Sequence, residues 1–294
     1  MQTDRLQVLL QLSRLGSMRA VADELGTSTS TVSQQIAVLA REAGVALVEP
    51  DGRRVRLTPA GRRLAEHAVG ILAAVEAARV DLGPGARPSG TVRAASFATA
   101  IRRSLLPAVE SLGRTHPGLR LVVAEHEPGE ARALLHADEV DLALTYDYAL
   151  APAPPDPALD AAPLWSTPWG LAVPADAGDV SGDARTVVAA FRDAEWIVNS
   201  RNDADEVVVR ALARTAGFDP AVTHRADSLD LVQDLVQAGL GVGLMPLHQP
   251  TVPGVRVLPL TEPDLVLRAF VLTRRGRGRW PPLAATLALL TTGG

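Results

Sequence analysis

The chain has 294 residues, 47% of them hydrophobic and 21% charged, which suits roughly two globular domains and lies outside the range of disordered sequences. It contains no cysteine, which excludes disulfides, thiolate metal ligands and cysteine nucleophiles. All 29 basic residues are arginine, which excludes a Schiff-base or P-loop lysine. The net charge of −4 is uneven: residues 1–65 carry 9 arginines against 6 acidic residues, and the remainder carries 20 against 27. A mildly basic head on an acidic body fits a nucleic-acid module joined to something else.

Residues 2–15 predict a first helix with Leu6, Leu9, Leu10 and Leu12 inward. Gly16 to Gln35 then reads as two short helices around a tight turn. Ser17 can cap the first, whose stripe is Met18, Val21, Ala22 and Leu25, and Gly26 stands just past its end. Thr27 or Ser28 can cap the second, with Val32, Ile36 and Leu39 as its apolar back. The other face of that helix carries Thr29, Ser30, Ser33 and Gln34, polar side chains without negative charge. Helix, turn and helix with an uncharged hydrogen-bonding face is the pattern of a DNA-reading helix-turn-helix. The bland alternative is two amphipathic helices of a small bundle.

Asp51-Gly52 predicts a hairpin with Arg53 and Arg54 at its tip, a wing placed to reach phosphates or the minor groove. Thr58-Pro59 opens a long helix to about residue 82. Gly61, Leu64, Ala68, Ile71, Val75, Ala78 and Leu82 form a heptad seam on it, which predicts a second copy as partner. Residues 83–90 are Gly/Pro-rich and read as a hinge.

From Thr91 the pattern alternates strand and helix, which predicts a parallel α/β sheet. Strands are expected at 92–95, 119–124 and 140–145, with helices at 100–112 and 129–136. Residues 151–163 read as a Pro/Ala-rich crossover. A second unit has strands at 170–173, 196–199, 222–225 and 242–244, and helices at 203–216 and 228–238. A strand at 265–273 and a closing helix at 281–290 complete the chain. No run reaches the ~18 apolar residues of a membrane span, and the N-terminus lacks the pattern of a signal peptide. A cytoplasmic location is the expectation.

In the head, Leu15-Gly16-Ser17, Ala20, Ala22, Leu25, Thr27-Ser28, Val32-Ser33, Gln35-Ile36, Leu39, Gly44-Val45, Leu47 and Leu57-Thr58-x-Ala60-Gly61 stand in order. In the body, Gly90-Thr91-Val92-Arg93, Leu105-Leu106-Pro107, His116-Pro117-Gly118, Asp141-Leu142-Ala143 and the run 238–246 follow. With these residues the chain resembles the LysR-type transcriptional regulators over almost its whole length. The resemblance implies an N-terminal all-α winged helix-turn-helix (1–58), a coiled-coil linker helix (59–82), a hinge (83–90) and an α/β effector domain (91–294). That domain would have the two-lobed fold of periplasmic binding proteins, with lobe I at 91–162 and about 268–294 and lobe II at about 163–267. The chain departs from the family where Thr29 stands for the usual Gln, Ser30 for Pro and Gln34 for Arg or Lys, and where Val48-Glu49-Pro50 replaces the wing's frequent aromatic, one residue, then Arg, so that this basic contact is absent. The operator is therefore expected to differ from the commonest ones.

The expected DNA contacts are Thr27, Ser28, Thr29, Ser30, Thr31, Ser33, Gln34 and Gln35, with Arg53 and Arg54 on the backbone. The effector is expected between the lobes, where Ser96, Thr99 and Thr145 of one lobe would face Asn199, Ser200 and Arg201 of the other. Arg201 can clamp a carboxylate through two hydrogen bonds, so a small carboxylate is one candidate effector. His126 between Glu125 and Glu127 does not converge on one ion, and neither metal nor cofactor is expected. The partners would be operator DNA, a small-molecule effector and a second copy, as a homodimer or homotetramer. The competing readings are an enzyme and a purely structural DNA-binding protein without a ligand; a two-lobed body with a cleft would be unnecessary for the second. Against an enzyme, the chain has no nucleophile elbow, no P-loop, no dinucleotide fingerprint after the first body strand and no clustered His, Asp and Glu, and its GLGVG at 239–243 leads from a helix into a strand.

Overall fold

The computed structural model describes residues 1–52, 54–83 and 87–291. Three helices, α1 (Thr3–Leu15), α2 (Met18–Glu24) and α3 (Thr29–Ala43), enclose a small core. Leu6, Leu9 and Leu12 of α1 bury against Val21 of α2 and against Val32, Ile36 and Leu39 of α3. Hydroxyls start both short helices: Ser17 Oγ accepts from the Ala20 N–H at 3.0 Å, and Ser28 Oγ from the Thr31 N–H at 3.1 Å. Of the two candidate caps for α3, Ser28 takes the role. The wing is the antiparallel pair β1 (Val48–Asp51) and β2 (Arg54–Leu57), with Val48 opposite Leu57 and Asp51 opposite Arg54.

Helix α4 (Pro59–Leu82) begins with Thr58 Oγ1 accepting from the Gly61 N–H at 3.0 Å. A Cβ on Gly61 would lie 2.1 Å from the Leu47 carbonyl oxygen. This glycine therefore serves the approach of α4 to the base of the wing rather than the heptad seam. The seam itself divides along the helix. Ala68 is fully buried within the chain, whereas Ile71 and Leu82 are 38% and 84% exposed.

The body is one nine-stranded sheet. Its strands are β3 (Gly90–Ser96), β4 (Leu119–Glu125), β5 (Leu142–Tyr148), β6 (Leu159–Pro174), β7 (Glu195–Val198), β8 (Ala221–Arg225), β9 (Val242–Pro246), β10 (Val255–Pro259) and β11 (Val266–Arg274). They run in the order β4-β3-β5-β11-β6-β9-β7-β8, with β10 also on β6. Strand β3 lies parallel between β4 and β5, and β7 lies parallel between β8 and β9. Between these halves β6 and β11 run antiparallel, so the sheet is mixed and not wholly parallel as expected. The 16 residues of β6 serve both halves: 159–168 pair with β11, and 169–174 with β9 and β10. The Pro-rich crossover thus ends before Leu159, where the chain becomes extended, and the expected lobe limits near 163 and 268 fall inside β6 and β11.

Helices cover the sheet: α6 (Leu106–Thr115), α7 (Pro128–His136), α8 (Ala184–Ala190), α9 (Ala204–Thr215), α10 (Leu229–Gln237) and α11 (Pro281–Thr291), with the single turn α5 (Ala98–Ala100) before α6. Sequence periodicity did not reveal α8 or β10, which span only seven and five residues. Between α5 and α6, Ile101–Leu105 forms a π-turn. Pro107 follows at the start of α6 and has no N–H for the helical ladder, which accounts for a widened turn there.

The head does not hang free of the body. After β11 the chain makes a 3₁₀ turn, Arg277–Arg279, which rests on α4. A Cβ on Gly276 would lie 3.1 Å from Gly70 Cα of α4, and Gly276 has φ +79°. The Arg277 guanidinium lies 4.2 Å over the Trp280 ring and reaches the buried Asp141 carboxylate at 3.4 Å. Asp141 also accepts from the Arg93 backbone N–H at 2.9 Å, which ties this turn to the first strand of the body. Valine at 276 would meet both the left-handed backbone and Gly70. Gly276→Val is expected to lower stability to urea unfolding by about 1–3 kcal/mol. A Cβ at Gly70 finds Gly276 Cα at 3.7 Å, an ordinary contact, so Gly70→Ala should be neutral or stabilising in the same measurement.

Candidate DNA-reading face and interlobe cavity

On α3 the apolar back and the polar face separate as the spacing predicts. Val32, Ile36 and Leu39 are buried, and Thr29, Ser30, Ser33 and Gln34 are exposed. The first turn of α3 contains no acidic residue. Ser28 is exposed with its hydroxyl 2.8 Å from both Ser30 Oγ and Thr31 Oγ1. This hydroxyl cluster fixes the start of the helix and does not engage Thr29. Thr27 is exposed in the turn, and Gln35 is half-buried with an Oε1 that has no partner among the described residues. On the wing, Arg56 is neutralised by Glu49 across the hairpin at 2.8 Å. Arg53 lies outside the described residues, and the backbone of Arg54 pairs opposite Asp51.

A cavity of about 830 Å³ opens between the two halves of the sheet, within the range of small-molecule sites. Of the six residues expected there, Thr99 and Asn199 line it. The other four are placed differently. Ser96 is fully buried and its hydroxyl donates to the Phe97 carbonyl at 3.2 Å. Thr145 is fully buried and its Oγ1 has no partner among the described residues. Ser200 is exposed beside the cavity wall rather than on it. Arg201 bonds Glu130 at 2.6 Å and Asp227 at 3.2 Å. Its guanidinium is thereby committed to two carboxylates of its own chain, and this pairing holds Glu130 below the usual carboxylate range.

The two halves meet across a polar seam that sequence reasoning did not foresee. The Asn199 Oδ1 accepts from the backbone N–H groups of Arg201 and Asn202 at 2.8 and 3.2 Å, a local turn that folds the segment after β7 toward the opposite half. From there the Asn199 and Asn202 amides donate to Glu127 Oε2, the first at 3.3 Å. Asn202 also donates to the Tyr146 hydroxyl at 2.9 Å, and Tyr146 donates to Glu127 at 3.3 Å. Burial pushes the Glu127 carboxyl up, against the lowering effect of these donors. Beneath, the Tyr148 hydroxyl donates to Asp205 Oδ1 at 2.8 Å. Burial of Asp205 raises its pKa to about 6.

Aromatic rings form the rest of the wall. Phe97 and Tyr146 meet edge to face with centroids 4.8 Å apart, and Phe97 lies 6.2 Å from Trp165. Tyr148 bridges Tyr146 to Trp169 at 6.3 and 5.6 Å. The π-turn brings Arg103 to 4.3 Å over Trp165 and places Ser104 Oγ 3.0 Å from the Trp165 indole N–H, which donates to it. A signal for this wall was present in the sequence: the chain has only ten aromatic residues, and Tyr146, Tyr148, Trp165 and Trp169 stand close together on the sequence. Among the described residues no group of His, Asp or Glu is arranged to hold a metal ion. His126 Nδ1 instead faces Glu130 at 3.4 Å.

A DNA-reading head joined by one long helix to a two-part receptor with a cavity at its waist defines a ligand-linked DNA-binding protein. Residues 3–62 match the family described as bacterial regulatory helix-turn-helix protein, lysR family, and residues 85–293 match LysR substrate binding domain. The chain belongs to the LysR family of transcriptional regulators. It is 27% identical to a hydrogen peroxide-inducible genes activator of Pectobacterium carotovorum subsp. carotovorum, over 96% of this chain and 94% of that protein. It is 28% identical to the transcriptional dual regulator GltC of Bacillus subtilis (strain 168), over 74% of this chain and 71% of that one. Among solved structures, ArgP from Mycobacterium tuberculosis aligns with TM-score 0.68 at 22% identity, covering 98% of this chain and 96% of that chain. A full-length OxyR variant from Pseudomonas aeruginosa aligns with TM-score 0.68 at 18% identity, covering 100% and 97%. The fold is thus a helix-turn-helix head with a two-lobed effector-binding domain, and the protein is a DNA-binding regulator modulated by a small-molecule effector.

The raised pKa of Asp205 has a consequence for stability. The folded state holds that proton more tightly than an unfolded chain, whose Asp titrates near ~3.9. Native stability linked to Asp205 is therefore greatest at low pH and declines as pH rises from about 4 through about 6. Asp205→Asn keeps an acceptor for Tyr148 but cannot titrate. Its melting temperature relative to wild type should rise between about pH 4.5 and about pH 7.5, the interval flanking that titration.

Proposed function

We propose that α3 reads operator bases through Thr29, Ser30, Ser33 and Gln34, and that the interlobe cavity is where the effector acts. The carrying observation is the acid-free, exposed polar face of α3 set on a buried apolar back. Gln34 suits a bidentate contact to adenine, and hydroxyls accept or donate to several bases. Thr27, Ser28, Thr31 and Gln35 hold or flank that face, while Arg53 and Arg54 serve the DNA backbone. The working limits are 1–58 for the head, 59–82 for the linker helix, 83–90 for the hinge and 91–294 for the effector domain. Residues 53, 84–86 and 292–294 of these spans lie outside the described residues.

The exposed Ile71 and Leu82 on α4 favour a second copy as partner, in a homodimer or a pair of dimers. A dimer would present two recognition helices to half-sites about one DNA turn apart. A regulator in contact with operator DNA works in the cytoplasm. Two of the relatives named above carry hydrogen peroxide or OxyR in their names. A chain without cysteine has no thiol to oxidise, so its signal is a ligand, not a disulfide. Among the six expected effector residues, Thr99 and Asn199 keep that role. A carboxylate effector would need Arg102 or Arg103 in place of the committed Arg201.

Gel shifts of the full chain on DNA upstream of its own gene, with random duplex as competitor, test the DNA reading. Arg53→Ala with Arg54→Ala should weaken specific and random DNA alike and reduce the salt slope by about 1–2. Gln34→Ala should cost specific DNA about 1–3 kcal/mol and spare random DNA. Equal losses on both DNAs from Gln34→Ala would contradict the assignment.

A further inference from the structure

We propose that the effector held between the lobes is a small aromatic cation, an arylalkylamine, rather than a carboxylate. The inference rests on the cavity being the effector site and adds the chemistry of what it accepts.

The aromatic wall carries it first. Of ten aromatic residues in 294, four line this one cavity: Phe97, Tyr146, Trp165 and Trp169. Rings in edge-to-face contact present both π-faces and edges, which suits a flat guest and favours positive charge over a face. A cation already sits on this wall, since the Arg103 guanidinium is 4.3 Å from the Trp165 centroid.

Charge then sets the sign. Glu125, Glu127, Asp205 and Asp230 line the cavity, and among the described residues no cation forms an ion pair with any of them, while Asp227 is matched by Arg201. On the other side stand Arg102, Arg103 and His248, with Arg103 turned onto Trp165. An anion entering here meets the exposed carboxylates Glu125 and Asp230, which have no ion-pair partner among the described residues, and an ammonium meets them as acceptors; Glu127 and Asp205 already accept hydrogen bonds from Asn199, Asn202, Tyr146 and Tyr148.

Three probes share a phenol body and differ in end group: tyramine, tyrosol and 4-hydroxyphenylacetate. Calorimetric titration of the full chain should show tyramine binding roughly tenfold tighter than tyrosol, and 4-hydroxyphenylacetate weakest. Glu125→Gln with Asp230→Asn, both isosteric changes at exposed positions, should weaken tyramine and leave tyrosol unchanged. Arg103→Gln, which vacates the Trp165 face, should tighten tyramine. Equal or tighter binding of 4-hydroxyphenylacetate, or no binding of any probe at millimolar concentration, overturns the proposal. The regulatory reading is tested separately by the footprint on an operator selected from random DNA. Tyramine that binds and leaves the footprint unchanged keeps the ligand class and overturns the cavity's regulatory role. An anion that binds and changes the footprint does the reverse.

Discussion

Everything in the body depends on the antiparallel pairing of β6 with β11. One strand of 16 residues runs through both halves of the sheet, and its partner ties the first half to it along nine residues. A one-residue slip in such a pairing would turn every side chain to the opposite face. The register is pinned by the buried alternation of Leu267, Ala269 and Val271, with a shift at Ala269/Phe270. Trp165 and Trp169 stand on β6 on either side of the point where it passes from one half to the other. The cavity is therefore built into the strand that joins the lobes.

Beside the central strands and an apolar cluster in which Tyr148 meets Trp169, a polar seam joins the halves. Its members are hydrogen-bonding groups, not an apolar interface: Glu127 with Asn199, Asn202 and Tyr146, Asp205 with Tyr148, and Glu130 with Arg201. Such bonds exchange readily with water and with ligand groups, so their net worth is modest and their geometry is selective. A guest that competes for Glu127 or Asp205 would act through its differential affinity for arrangements in which these bonds are made or broken. The path onward is physical. Asp141 anchors Arg93 and Arg277, and the turn at Gly276 lies against Gly70 of α4. Helix α4 in turn packs on α1 of the head.

Much of the head was legible in the sequence because its signals are local. Ser17, Ser28 and Thr58 cap the helices they precede, and the stripe of α3 is buried; of the stripe expected on α2, Val21 and Ala22 are buried, while Leu25 falls past the helix end and is 40% exposed. Gly61 was misread as part of a seam because a close approach to the Leu47 carbonyl is a tertiary fact. In the body, strand and helix alternation gave both parallel halves. The long antiparallel β6 was hidden, since its alternation begins within a stretch that Pro and Ala make look irregular. Thr99 and Asn199 were placed at the cavity by their position after strands. Arg201 was placed there too, but its partners Glu130 and Asp227 stand 71 and 26 residues away, and no periodicity announces such a pairing. The π-turn is of the same kind: Pro107 marks a disturbance in the helix without saying where Arg102 and Arg103 will point.

We propose that closure between the lobes is transmitted through α4 to the head. A chain without native cysteine allows Glu130→Cys and Arg201→Cys to be joined by a short bis-maleimide across the seam, with the uncoupled double variant as reference. The measurement is the DNase footprint of each form on its operator in the absence of ligand. The account predicts that the joined form protects a different length of DNA or alters the hypersensitive positions that mark bending. Identical footprints from joined and unjoined protein, with both still binding the operator, would contradict it.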